Sequence, residues 1–249
     1  MTDPVVHGVD FSGASGGGGP KIVVATRDSR GGIDLRRGAG RQDLLQLIRT
    51  SCEDGTPHLW RVDAPLSLPE SVLDAHGVPP DWLSMATWMR GFEDPREWRR
   101  ALRAVDRKER KRTCDRAARA PLAPMNLRVF KQTWTAVCEL MLPLVEEGIH
   151  LAPMHPTRCP VVVAEACPAS VLHRIGESPR GYKGREPANA ERRRALCGVL
   201  AEHGLELSED HVRQAEADPQ GDVLDAAILL LPPVHEPVPR EALVEGWIW

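Results

Sequence analysis

Three short apolar runs in this sequence each end on an acid followed by small residues or proline: Val9-Asp10-Phe-Ser-Gly, Val62-Asp63-Ala-Pro and Ala164-Glu165-Ala-Cys-Pro. A fourth acidic element, Gly221-Asp222-Val-Leu-Asp225-Ala-Ala, sets two carboxylates three residues apart, on one face of a helix. Acids make up 35 of 249 residues, so three such endings are uncommon by chance. Aspartate is disfavoured inside strands and costly to bury unpaired. Acids at adjacent strand ends repel one another and call for a compensating positive charge, and a divalent cation with hard oxygen ligands supplies it. Each acid also has an ordinary structural use. Asp10 can initiate a turn, Asp63 can cap the loop before Pro65, and Asp222 with Asp225 can cap a helix start. For the last pair, capping and metal binding are both open. Taken jointly, the four elements predict a carboxylate cluster.

Other candidate chemistry is weaker. His150, His155 and Cys159 lie close in sequence, but Pro153, Pro156 and Pro160 break the segment, which reads as a loop rather than a regular metal site. The six cysteines form no CxxC pair, which argues against a four-thiolate zinc site and thioredoxin-like redox chemistry. The net charge of −3 hides a basic stretch: from Arg90 to Arg119 there are twelve Lys or Arg against six acids, locally about +6. Such a helical segment suits phosphate-backbone binding, and Arg107, Lys108, Arg110, Lys111 and Arg112 are its candidate contacts. It also suits a long solvated helix held by pairs such as Asp106–Arg110.

The elements that must carry these groups follow from patterning. Residues 5–12, 21–26, 33–36 and 58–63 read as strands, with glycines at 13 and 16–19 as a turn and a helix over 42–51. Residues 70–150, rich in Trp, basic residues and helix formers, read as a helical insertion. The run 160–166 resumes the β pattern as a strand buried on both faces. Helices are predicted over 190–203, 208–217 and 222–231, and a helix start over 170–175. At 42% hydrophobic and 27% charged, the chain has a soluble globular composition; it has no apolar run of membrane-spanning length and no apolar signal segment, so a cytoplasmic location is expected.

Six segments in order, Val9-Asp-Phe-Ser-Gly-Ala14, Val62-Asp-Ala-Pro-Leu66, Glu165-Ala-Cys-Pro-Ala169, Tyr182-Lys183, Asp222-Val-Leu-Asp-Ala226 and Glu245-Gly-Trp-Ile248, resemble the domain-of-unknown-function family DUF429, described as predicted nucleases of RNase H fold. The resemblance implies an α/β protein with an RNase H-like core, a mixed five-stranded sheet flanked by helices. The core would be residues 1–69 and 151–249, with 70–150 inserted. It implies an active-site layout similar to RuvC-type resolvases, which use a similar Asp-x-x-Asp pair. Phosphodiester hydrolysis would then use two Mg²⁺ or Mn²⁺ ions, with Asp10 bridging and Asp63, Glu165, Asp222 and Asp225 completing the ligand set. Lys183 could neutralise the scissile phosphate or be an ordinary loop lysine, and Ser12 with Gly16–Gly19 could offer amides to phosphate or form only a turn. The partner would be DNA or RNA. Two other readings compete: an actin-like-superfamily nucleotide-binding ATPase or kinase, and a non-catalytic nucleic-acid-binding module on the same fold.

Overall fold

The computed structural model describes residues 3–12, 21–233 and 237–249. At its centre is a mixed six-stranded sheet in the order β3-β2-β1-β4-β6-β5. Strands β1 (Val5–Asp10), β2 (Ile22–Arg27) and β3 (Ile33–Ala39) form an antiparallel meander. Helix α1 (Arg41–Ser51) then leads into β4 (His58–Asp63), which lies parallel to β1. The stretch between β4 and the next strand is helical: α2 (Glu70–Ala75), α3 (Trp82–Arg90), α4 (Pro95–Val105), α5 (Thr113–Ala117), α6 (Phe130–Thr135) and α7 (Leu142–Glu146), the last two joined by π-helical backbone over Ala136–Met141. Strands β5 (His150–Ala152) and β6 (Val161–Glu165) follow, β6 pairing parallel with both β4 and β5. The chain closes with α8 (Pro168–Arg174), α9 (Pro187–Glu202), α10 (Glu209–Ala217), α11 (Asp222–Ile228) and α12 (Ala242–Glu245). Among the described residues no helix is long and apolar enough to cross a membrane.

Two expectations are corrected here. The sheet has six strands, not five, because His150–Ala152 adds an edge strand to β6. Three residues are too few to show a period of two, and the prolines around them masked the pairing. The basic stretch is also not one long helix. Helix α4 ends at Val105, where Asp106 takes an extended conformation (φ −140°, ψ 127°), and residues 106–112 are irregular. The Asp106–Arg110 ion pair forms at 2.6 Å all the same, across a non-helical turn.

The period of two along each strand sorts side chains onto two faces. Val9, Trp60, Val62, Val161 and Val163 share one apolar cluster with α1 and the helices of 70–146. Val6, Val23 and Ala25 share a second with α8, α9, α10 and α11. Helix α11 lies directly on β1 and β2, and its residues from Val223 to Ile228 are all buried. That depth depends on Gly8. A Cβ at Gly8 would stand 2.1 Å from the Ala226 carbonyl oxygen and 2.8 Å from Leu229 Cβ. The carbonyls at the end of α11 have no helical partner and meet Arg61 instead, fully buried on β4. Its Nη1 donates to the Leu229 oxygen at 2.6 Å and to the Leu231 oxygen, and its Nη2 to the Trp249 oxygen at 2.6 Å.

The contact at Gly8 gives a stability test. In Gly8→Ala the helix must lift from the sheet, at an overpacking cost of about 1–3 kcal/mol or more. Thermal unfolding should show a melting temperature lower by several degrees. A wild-type melting curve would show that α11 can move aside freely.

Candidate metal centre

Asp10 and Asp63 are the last residues of two parallel neighbours and stand directly in register. Both therefore point to the same face of the sheet, the face covered by α11. The helix brings Asp225 down onto them. One carboxylate oxygen from each of Asp10, Asp63 and Asp225 lies within 4.8 Å of the other two. Among the described residues this is the one such grouping of three or more Asp, Glu, His or Cys ligand atoms. Asp225 is buried and the other two are half-buried; Asp63 and Asp225 line a cleft of about 280 Å³.

Asp225 is held from the loop before α9. Tyr182, the chain's one tyrosine, donates its hydroxyl to Asp225 Oδ1 at 2.7 Å, and Lys183 Nζ donates to Oδ2 at 2.5 Å. That loop is itself fixed by the buried Arg193 of α9, which donates to the carbonyls of Tyr182 (2.6 Å), Gly184 (3.1 Å), Ala215 (3.0 Å) and Glu216 (2.6 Å). From the opposite side, Gln132 Nε2 donates to the carbonyls of Phe11 (2.7 Å) and Asp63 (2.6 Å), tying together the ends of β1 and β4. Patterning gave no sign of these supporting groups. Tyr182-Lys183 entered only through the family resemblance, and a Gln within a helical run carries no motif.

Burial, and then the acids' mutual repulsion, raises the carboxyls of the cluster. Burial, then the charges of Asp225, Asp63 and Asp222, push the Asp10 carboxyl well above its usual range. Burial and Asp225 push Asp63 up to about 8. Asp225 is raised by burial, against the pull of Lys183. Desolvation lowers Lys183, yet its bond to Asp225 leaves it above the ordinary lysine value. Three carboxylates thus face one ammonium. Ionised together they leave two negative charges uncompensated, the charge and the hard-oxygen donor set that a divalent cation fits.

The remaining expected residues are placed differently. Asp222 opens α11 beside the cluster but supplies no ligand atom to it, and its carboxyl is raised by burial and by Asp218. The N-cap residue of α11 is Gly221, and Asp218 Oδ2 accepts from the Val223 amide at 2.9 Å. Glu165 is a correction. It stands opposite Val62 in the register, one residue short of Asp63, so its side chain leaves on the other face. There it accepts from Arg112 Nη1 (2.7 Å) and Nη2 (2.5 Å) and from the Leu66 amide (2.9 Å). Arg112 is the second correction. Fully buried between Glu165 and Asp115, it cannot reach a nucleic-acid backbone. Arg107, Lys108 and Arg110 are exposed, and Lys111 donates to the Ala120 carbonyl. The expected role of Gly16–Gly19 lies outside the described residues. His150 opens the edge strand and His155 follows it, where the Leu151 and His155 backbones bond each other, without a metal-ligand grouping.

A family model described as a protein of unknown function, DUF429, matches residues 8–232. No curated protein and no solved structure matches the chain.

Two outcomes follow from the charge balance. The folded Asp63 carboxyl, at about 8, lies above its unfolded value of 3.8, so its contribution to stability is present below about pH 4 and lost as pH rises through about 8. The buried His7, depressed to about 3 from 6.5, acts oppositely, but only below pH 6.5. In chelator, the melting temperature should therefore fall between pH 6.5 and 8, and Asp10→Asn should melt higher and fall less. Equal slopes would show that the carboxyls do not interact. Glu165→Gln should instead lower the melting temperature by several degrees, with or without Mn²⁺, because it strips a partner from a buried guanidinium. A mutant that melts like the wild type would remove the structural role given to Glu165.

Proposed function

This chain belongs to DUF429, a family of proteins of unknown function, and from its carboxylate site we propose that it is a divalent-metal-dependent nuclease. The observation that carries the reading is the convergence of Asp10, Asp63 and Asp225 within 4.8 Å, with Lys183 their one cationic partner among the described residues. The sheet supports it further. Apart from the three-residue edge strand β5, it is a mixed five-stranded sheet flanked by helices, as an RNase H-like core requires, with acids at the ends of its first and fourth strands. In this reading Asp10, Asp63 and Asp225 hold Mg²⁺ or Mn²⁺, with Asp222 within reach of the outer coordination. Such an ion, when bound, lowers the pKa of water and stabilises a departing alkoxide.

The chain's own residues do the rest. Tyr182 and Lys183 fix both oxygens of Asp225, so that the carboxylate on the helix cannot rotate away from those on the strands. Lys183 is half exposed at the cleft and can place its ammonium against a phosphate oxygen of a bound substrate. Gln132 holds the β1 and β4 ends at fixed separation. Pro65, Leu122, Val129 and Pro168 form the apolar part of the cleft wall and restrict water around the reacting linkage.

The test pairs metal binding with cleavage. Mn²⁺ should raise the melting temperature of the wild type in a concentration-dependent way, and Asp10→Asn should abolish the rise. Cleavage of mixed DNA, RNA, hybrid and junction substrates should fall by several orders of magnitude in the same variant. A wild type that neither responds to Mn²⁺ nor cuts any of these substrates would overturn the reading. Stabilisation that required ATP would favour a nucleotide-binding enzyme instead.

A further inference from the structure

Helix α4 is two-sided. It turns Trp98 and Leu102 into the core, and its outer side carries Arg96, Arg99, Arg100 and Arg103 at steps of three and four residues, with Arg107 just past its end. These five arginines line a groove of about 620 Å³ together with Leu127 and Phe130. Only Arg99 is held there. It pairs with Glu109 at 3.4 Å, donates to the Met125 carbonyl and lies over the Phe130 ring at 5.2 Å. Among the described residues, no carboxylate lies within ion-pair distance of Arg96, Arg100, Arg103 or Arg107. Asp94 feels the charges of Arg96 and Arg100, but its carboxylate caps the helix on the amides of Arg96 and Glu97.

The groove and the carboxylate cleft lie on either side of one segment. Leu127 and Phe130 line the groove, whereas Leu122, Val129 and Gln132 line the cleft with Asp63 and Asp225. A linear polyanion leaving the cleft across this segment therefore meets the arginine row.

We propose that the α4 groove binds the phosphodiester backbone of a single nucleic-acid strand whose reacting linkage lies at Asp10, Asp63 and Asp225. The inference rests on the nuclease reading of the cleft. The row from Arg96 to Arg103 runs about 10 Å along the helix at 1.5 Å per residue, and it presents forked donors that suit the paired oxygens of successive phosphates. The concave shape suits a linear chain better than a membrane, for which Leu127 is the one large exposed apolar side chain among the described residues at the groove. A cleft of about 280 Å³ has room for one nucleotide rather than a base pair, which selects a single strand.

The experiment measures binding without turnover. Anisotropy of a labelled poly-dT oligonucleotide is titrated in chelator across a range of KCl, with the full-length wild type and with Arg96→Gln/Arg100→Gln/Arg103→Gln. The three side chains are solvent-facing, so the variant should keep the wild-type melting temperature. Loss of three contacts should reduce the log–log salt slope by about 2 and the affinity at 0.1 M salt about 100-fold. An unchanged slope, no oligonucleotide binding, or equal binding to duplex DNA, polyglutamate or phosphatidylserine vesicles would each overturn the proposal. The Mn²⁺-induced rise in melting temperature should be the same in this variant and the wild type, so the cleft and the groove can fail separately.

Discussion

One close contact positions the whole centre: α11 lies against the backbone of β1 at Gly8. Two residues further along the strand, on the same face, is Asp10. One residue before Ala226, whose carbonyl touches Gly8, is Asp225. A single approach of helix to strand therefore brings two of the three acids together, and the parallel register of β1 with β4 adds the third. No loop has to be ordered for the carboxylates to meet. The helix that delivers Asp225 is apolar on nearly every side, which lets it sink to that depth.

The molecule handles buried charge in two contrasting ways. Around Arg112 the polar groups are closed upon one another: Asp115 and Glu165 accept from the guanidinium, Ser67 Oγ takes a further donation, and Glu245 receives the amides of Glu70 and Thr113. That network joins the helical stretch to β6 and to the C-terminal turn, and nothing in it lacks a partner. Around Asp10 the balance stays open on the negative side. Burying like charges together destabilises a fold, and sites that bind or react commonly carry such strain.

Much of the sheet was legible from the chain. Short apolar runs and glycine punctuation marked β1, β2, β3, β4 and β6; the acids at strand ends pointed to Asp10 and Asp63, and the paired acids of the last core helix to Asp225. Glu165 shows where that reasoning stopped. Ending a strand on an acid says nothing about which face the acid leaves from, and a one-residue offset between β4 and β6 sends it to the other side. Arg112 fails for a related reason: a run of basic residues gives no sign of which member is drawn inward, because that depends on partners fifty residues away. Tyr182 and Gln132 act through geometry alone. The short strand β5 pairs only because β6 offers an edge to it.

Gln132 belongs to the helical stretch between β4 and β5, not to the sheet, yet it spans the carbonyls beside two of the acids. The spacing of the carboxylates is thus gauged by a crossbar from outside the scaffold that carries them. A trimmed core without residues 70–146 would keep all three carboxylates and lose the part that gauges their separation. The helices between the strands are thus a fixed jaw, and exchanging them would reset the spacing of Asp10 and Asp63.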